Sequence, residues 1–315
     1  MSARGRKATV DEGGRGGRWA LIGVPSVWMI LLFAVPLLIV LKISLASVAI
    51  ARPPYTPLWA VTADGIAWQA HLDNYRALFT TPGYVQAYLG SLRIALVSTA
   101  LTLLVGYPIA YCMAQLSPAR RSLALMLVVL PSWTSFLLRA YAWIGLLKAN
   151  GPLGLWLDRL GVIDLLRMLG WIEGRQLLYT PLAAYLGIVY CYLPFMVLPL
   201  YANLVRHDAR LLEAGHDLGA TPWRAFLAIT LPLSRAGILA GCLLVAVPVM
   251  GEYVIPELLG GPDTRMIGRV LWNEFFANRD WPRASAMAVA MLATLVLPLA
   301  LFERLQRRQL AASDR

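Results

Sequence analysis

Glu213-Ala-Gly-His-Asp-Leu-Gly-Ala-Thr-Pro-Trp-Arg-Ala-Phe-Leu-Ala-Ile-Thr-Leu-Pro232 is polar enough to be wetted, yet segments apolar and long enough to cross a bilayer flank it on both sides. Its local signals predict two short helices with a sharp bend between them. Asp208–Leu218 places Leu211, Leu212, Gly215 and Leu218 on one face at helical spacing. Gly219 stands where a helix ends in a left-handed residue, a conformation that glycine adopts without steric penalty. Thr221 is placed to cap the next helix, with Pro222 at its first position, where a missing N–H costs nothing. Phe226, Leu227 and Ile229 give that helix an apolar side, and Pro232 is expected to stop it. A stiff, bent helix pair between two spans suits docking to another protein.

The rest of the composition agrees with a membrane setting. Of 315 residues, 59% are hydrophobic and 14% charged, against about one quarter charged in soluble domains. Mean hydropathy is +0.63. The net charge of +11 does not point to nucleic acid, because the basic residues are scattered among apolar blocks; positive loops on one membrane face account for it. The lysines are Lys7, Lys42 and Lys148, none set in a GxxxxGK[ST] phosphate loop. If ATP drives this protein, another chain hydrolyses it. Cys112, Cys191 and Cys242 fall in apolar segments and read as small buried residues; His71, His207 and His216 lie outside the spans. HExxH, paired CxxC and GxSxG patterns are absent, so no metal, cofactor or catalytic residue is expected.

In chain order, residues 1–18 form a basic tail, followed by an uncleaved first span, Ala20–Val40. Segment 48–89 is expected outside, with the turn-and-cap pattern Leu72-Asp73-Asn74-Tyr75. Span two is Ser91–Leu116, and span three, Ser122–Leu147, is interrupted by Pro131. Segment 148–179 is amphipathic and suited to the membrane surface. Span four is Pro181–Leu204, the polar loop occupies 206–233, and span five is Gly237–Leu259. Gly261–Arg283 is outside again; span six, Ala284–Phe302, precedes a basic tail, 304–315. The spanning domain is therefore 19–303, all-α with six transmembrane helices surrounded by membrane lipid. Arg120, Arg121, Arg206, Arg210, Arg224, Arg235 and the two tails place both termini and the 206–233 loop on the cytoplasmic side.

The opening stretch also carries a family resemblance. Glu213, Ala214, Gly219, Ile229, Leu231 and Pro232 match the "EAA" coupling motif of ABC importer permeases, with Gly215 where the third residue is usually Ala. The resemblance implies the type I importer permease fold in a bacterial inner membrane. It also implies that Glu213–Pro232 docks into a pair of ATP-binding subunits, which carry the ATP and Mg. Glu213 would pair with a basic group of the ATPase; the reading from the residue alone is a surface carboxylate pairing with Arg210. Further partners implied are a second homologous permease and an extracytoplasmic binding protein.

Pro131-Ser-Trp-Thr134, Tyr192-Leu-Pro-Phe-Met196, Gly251–Gly261, Gly268–Phe276 and Asn278–Pro282 resemble permeases of polyamine importers, the putrescine type above all. The residues fit such a substrate: a diamine dication needs carboxylates to replace its hydration and aromatic faces for cation–π contact. Glu252, Tyr253 and Glu257 in span five, and Trp133, Tyr141, Tyr190 and Tyr192 in spans three and four, are the expected substrate path. Glu274, Asp280 and Trp281 are the expected mouth. The alternatives at this stage are an ion pair of Arg139 with Glu252 or Glu257, aromatics that serve packing, another small solute, and an ion-coupled secondary transporter using Glu252.

Overall fold

The computed structural model describes residues 14–62, 65–262 and 264–296. Residues 1–13 of the first tail, all of the second, and the end of span six lie outside them. The described residues form two compact units, 14–76 with 279–296, and 77–278. The fold is helical, as expected, apart from one short hairpin.

The first unit opens with α1 (Gly14–Met29), a π turn (Ile30–Ala34) and α2 (Val35–Ser44). Leu21–Ser44 has the length and hydropathy of a span and is apolar on every face, with little of it covered by this chain. A β-hairpin follows, β1 (Trp59–Thr62) against β2 (Gly65–Trp68), with Trp59 opposite Trp68. α3 (Asp73–Thr80) leads into the second unit. The Leu72–Tyr75 pattern acts as an anchor: Asn74 Nδ2 donates to the carbonyls of Ser44 and Ala46, and the Tyr75 and Ser44 hydroxyls lie 2.7 Å apart.

The second unit is built on α4 (Pro82–Gln115), which begins nine residues before the expected span two. At roughly 1.5 Å per residue its 34 residues exceed a bilayer core. Span three is not one helix. α5 (Pro118–Val129) and a 3₁₀ turn (Leu130–Trp133) meet α6 (Phe136–Leu147) at 89°, because Pro131 and the extended Thr134 leave the backbone no continuous ladder. α7 (Pro152–Arg159) and α8 (Val162–Met168) fill the amphipathic segment, and α9 (Pro181–Leu204) is span four. The loop holds α10 (Ala209–Asp217), α11 (Pro222–Ala225), a π turn (Phe226–Thr230) and α12 (Leu231–Leu233). Span five is also broken: α13 (Arg235–Met250) ends at Gly251, and α14 (Val254–Leu259) starts afresh. α15 (Ile267–Trp272) and a π turn (Asn273–Ala277) complete this unit.

Pro232 does not stop its helix as expected. In both loop and first span, a π turn lies immediately ahead of a proline, Pro36 or Pro232, with the intervening N–H bonded five residues back. The wider turn moves the carbonyl that the ring would otherwise strike. The chain instead turns at Ser234, where Pro222–Leu233 and Arg235–Met250 meet at 64°.

α4, α9 and α13 form the core of this unit. Small residues let them approach: a Cβ at Gly241 would sit 2.7 Å from Met196 Sδ, and one at Gly106 3.0 Å from Met196 Cγ. Among the described residues three helices are long and apolar enough to cross a membrane, or up to five if each bent pair counts as one span, and Trp281–Val296, here α16, reaches the last described residue of expected span six.

Candidate functional site

Two places in the second unit concentrate the sequence-derived candidates. One is the hairpin of the loop. Asp208 Oδ1 accepts from the Arg210 N–H and starts α10. At its other end Gly219 has φ +81°. The Gly219 N–H bonds the His216 carbonyl at 2.8 Å and the Ala220 N–H bonds Gly215 at 3.0 Å, the two bonds of a Schellman ending. Thr221 Oγ1 accepts from the Arg224 N–H at 3.4 Å with Pro222 at the first position. Gly215, the residue that departs from the usual Ala, is buried; a Cβ there would lie 2.7 Å from Ile229 Cδ1. The glycine therefore sets the closeness of the two arms.

Glu213 and Ala214 are exposed on the opposite side, and Glu213 has no ion pair with Arg210 or any other cation among the described residues. Leu218 and Trp223 are also exposed, at 89% and 69%. The inner side is clamped to α4: Phe226 meets the Tyr107 and Tyr111 rings edge-on at 5.7 Å. The Tyr107 hydroxyl lies 2.9 Å from Ser234 Oγ at the elbow into α13. Leu231 and Pro232, half-buried, join the hairpin to that elbow.

The second place is the break in span five. Glu252 is buried between α13 and α14. Its Oε1 accepts the N–H groups of Tyr253, Val254 and Ile255, which α14 leaves unsatisfied at its start. Its Oε2 accepts the Tyr192 hydroxyl of α9 at 2.5 Å. No cation lies within ion-pair distance of Glu252 among the described residues, and four hydrogen bonds hold its carboxylate. Arg139 reaches instead to the Cys191 carbonyl at 3.5 Å and lies 5.7 Å over the Phe136 ring. Phe136 and Phe195 flank Tyr192 at 6.5 and 6.0 Å.

The remaining acids each have a partner within this chain. Glu257 pairs with Arg269 at 2.6 Å, not with Arg139. Glu274 is buried, accepting from the Tyr84 hydroxyl at 2.7 Å and from Asn278 Nδ2 at 2.9 Å. In the other unit, Asp280 is buried at the start of α16, accepting the Arg283 N–H and pairing with its guanidinium at 3.4 Å. Trp281 lies 6.4 Å from Tyr55. Both acids are buried. Tyr253 stacks on Trp272 at 4.9 Å, and Tyr190 meets Trp143 edge-on at 5.5 Å. Trp133 and Tyr141 are exposed and make no ring contact among the described residues.

Thus the structure unites Glu252 with Tyr192, and through the Tyr253–Trp272 stack with α15, but not with Trp133 or Tyr141. Sequence reasoning missed the roles of Tyr84, Asn278, Arg269 and Trp272. Asn278 lies four residues from Glu274, a helical spacing that carried the signal; Tyr84 lies 190 residues away and had none.

Residues 103–311 match the profile of the family described as "Binding-protein-dependent transport system inner membrane component". The chain is 36% identical over 280 residues to the spermidine/putrescine transport system permease protein PotB of Haemophilus influenzae, covering 88% of this chain and 90% of that one. It is 39% identical over 236 residues to PotB of Escherichia coli, covering 75% and 82%. The crystal structure of a bacterial ABC transporter involved in import of the polysaccharide alginate superposes with a TM-score of 0.59 at 17% identity, over 93% of this chain and 96% of that one.

Because no atom crowds Gly219 and its φ alone demands glycine, Gly219→Ala is expected to destabilise the hairpin by about 1–2 kcal/mol. Gly219→Asn should cost less, since asparagine tolerates this region. Amide hydrogen exchange at Gly219 and Ala220 checks it; equal protection in all three proteins would refute the assignment.

Proposed function

The chain belongs to the family of inner-membrane components of binding-protein-dependent transport systems, and from that premise we propose that it is the polyamine-translocating permease subunit of an ATP-driven importer. One observation carries the substrate: identity with spermidine/putrescine permeases runs through most of the chain rather than through the coupling stretch alone. The ion-coupled alternative has no comparable support. Putrescine is the first substrate to test and spermidine the second.

In this reading the 206–233 loop and both termini face the cytoplasm. Two ATP-binding subunits, carrying ATP and Mg, receive the hairpin; a second permease chain completes the pore; and a binding protein delivers the polyamine from outside. The exposed Glu213 meets a basic group of the ATPase, while exposed Leu218 and Trp223 supply apolar contact. Movement passes inward through two stiff joints, Phe226 on Tyr107 and Tyr111, and Ser234 with Tyr107 at the head of α13. α13 ends at the break that holds Glu252.

Glu252 is the proposed intramembrane cation contact, because it has no ion-pair partner among the described residues and Oε2 keeps a lone pair beyond the Tyr192 hydrogen bond. Glu257, already neutralised by Arg269, is a weaker candidate. ATP hydrolysis belongs to the partner chains in this reading.

Labelled putrescine uptake, with spermidine as competitor, tests the assignment in a polyamine-transport-deficient host expressing this chain with its partner subunits. Uptake is expected, and Glu213→Ala is expected to abolish it with the complex still assembled. Assembled complexes that hydrolyse ATP yet admit no polyamine would overturn the substrate. A separate outcome concerns Glu252→Gln, whose carbonyl still accepts the backbone N–H bonds. Loss of one charge-assisted contact should raise the KM for uptake about tenfold or more; an unchanged KM at normal expression would remove Glu252 from the path.

A further inference from the structure

Where the first span ends, the chain carries a small aromatic platform. The β-hairpin sets Trp59 directly opposite Trp68, so both indoles stand on one face, edge to face at 6.1 Å. That face is bare: Trp59 is 53% and Trp68 73% exposed. The height of the hairpin along the span is fixed by hydrogen bonds on both sides of it. The Thr56 N–H bonds the Ser47 carbonyl at 2.9 Å, and the Ser47 N–H bonds Thr56 Oγ1 at 3.1 Å. Beyond the second strand, the His71 N–H bonds the Leu45 carbonyl at 2.8 Å. Tyr55 lies 6.4 Å from Trp281, the first residue of α16, so the segment rests on the ends of two apolar helices. Lys42, in the last turn of α2, holds its ammonium 5.3 Å from the centre of the Trp59 ring. It is exposed, and no carboxylate lies within ion-pair distance of it among the described residues.

We propose that Trp59, Trp68 and Lys42 seat an anionic phospholipid in the leaflet where the first span ends, a site separate from the polyamine path. The 24 residues of Leu21–Ser44 make roughly 36 Å of helix, longer than a hydrocarbon core of about 30 Å. The last turn therefore lies at the edge of the bilayer, and the Lys42–Trp59 contact puts the platform at the same depth. An indole suits that boundary, with an apolar body for the acyl chains and one N–H for the wet side. The ammonium reaches up from an apolar stem and donates to the lipid phosphate. Lipid is favoured over a protein partner on two grounds. The platform continues the apolar surface of the span, which this chain leaves uncovered, and its cation has no acid paired to it, so an anionic headgroup supplies the missing charge. Held there, the hairpin pins the end of the first span at a fixed depth. The inference stands independently of the cargo; in the reading above, the leaflet is the outer one.

The test places p-benzoylphenylalanine, an aromatic photo-crosslinker, at position 68 of the full-length chain, purified with any subunits that accompany it. Because Trp68 is exposed, the exchange should leave folding intact. In nanodiscs of equal phosphatidylcholine and phosphatidylglycerol, irradiation is expected to join the label to lipid. Phosphatidylglycerol adducts should exceed phosphatidylcholine adducts about fivefold, the preference that one basic residue confers near an anionic surface. Mass spectrometry of the labelled peptide reads both yields. Lys42→Gln should keep the lipid adducts and bring the two yields together. An adduct to polypeptide in place of lipid, no lipid adduct at all, or a phosphatidylglycerol preference that is missing or survives Lys42→Gln overturns the proposal.

Discussion

A carboxylate with no ion-pair partner among the described residues, buried where a membrane helix breaks, is the constraint on which the larger unit depends. Ending α13 at Gly251 frees the first N–H groups of α14, which need acceptors within the protein if this segment lies in a bilayer. Glu252 answers three of them through one oxygen and uses the other to hold Tyr192. Without it the break would expose several unsatisfied donors, each costing kilocalories in an apolar medium. The same contact fixes α9 against α14, where Gly187 lets Leu259 and Ile255 come close. Gly268 repeats the device on α15: a Cβ there would lie 2.6 Å from the Gly251 carbonyl oxygen. Cap, stack and close approach therefore build one joint.

That joint stands at one end of α13, and the hairpin stands at the other. The hairpin owes its stiffness to ordinary local chemistry: an aspartate cap, a left-handed glycine, a threonine cap and a proline. Its attachment owes more to aromatic packing, since Phe226 is gripped by two tyrosines of α4 while Trp223 stacks on its other side at 5.5 Å. A stiff lever with a firm pivot suits the proposed docking of another subunit against the hairpin. The elbow at Ser234 places the turn in the backbone where Tyr107 can hold it.

How much of this could be read in advance follows the range of the interactions. The hairpin was legible because its caps and turn residues act over a few positions, and the predicted bend at Gly219 is found there. The membrane class was legible from composition, and the helical fold from the motif. The breaks were only partly so: Pro131 announced the first, whereas span five reads as continuous because its apolar character does not stop at Gly251. Pro232 misled because a proline normally ends a helix, and the π turn that admits it has no sequence signature. Partners of the acids were least legible. Glu257 with Arg269, and Glu274 with Tyr84, depend on how distant segments fold together, and composition supplied Arg139 as a plausible but unused partner.

The account stands most directly on the Glu252–Tyr192 contact, and a double-mutant cycle measures it. Unfolding free energies of the purified chain in detergent would be compared for wild type, Tyr192→Phe, Glu252→Gln and the double variant. A hydrogen bond to a buried carboxylate should appear as a coupling of about 1–3 kcal/mol. Additivity to within about 0.5 kcal/mol would contradict the claim that this carboxylate holds the broken span to its neighbour.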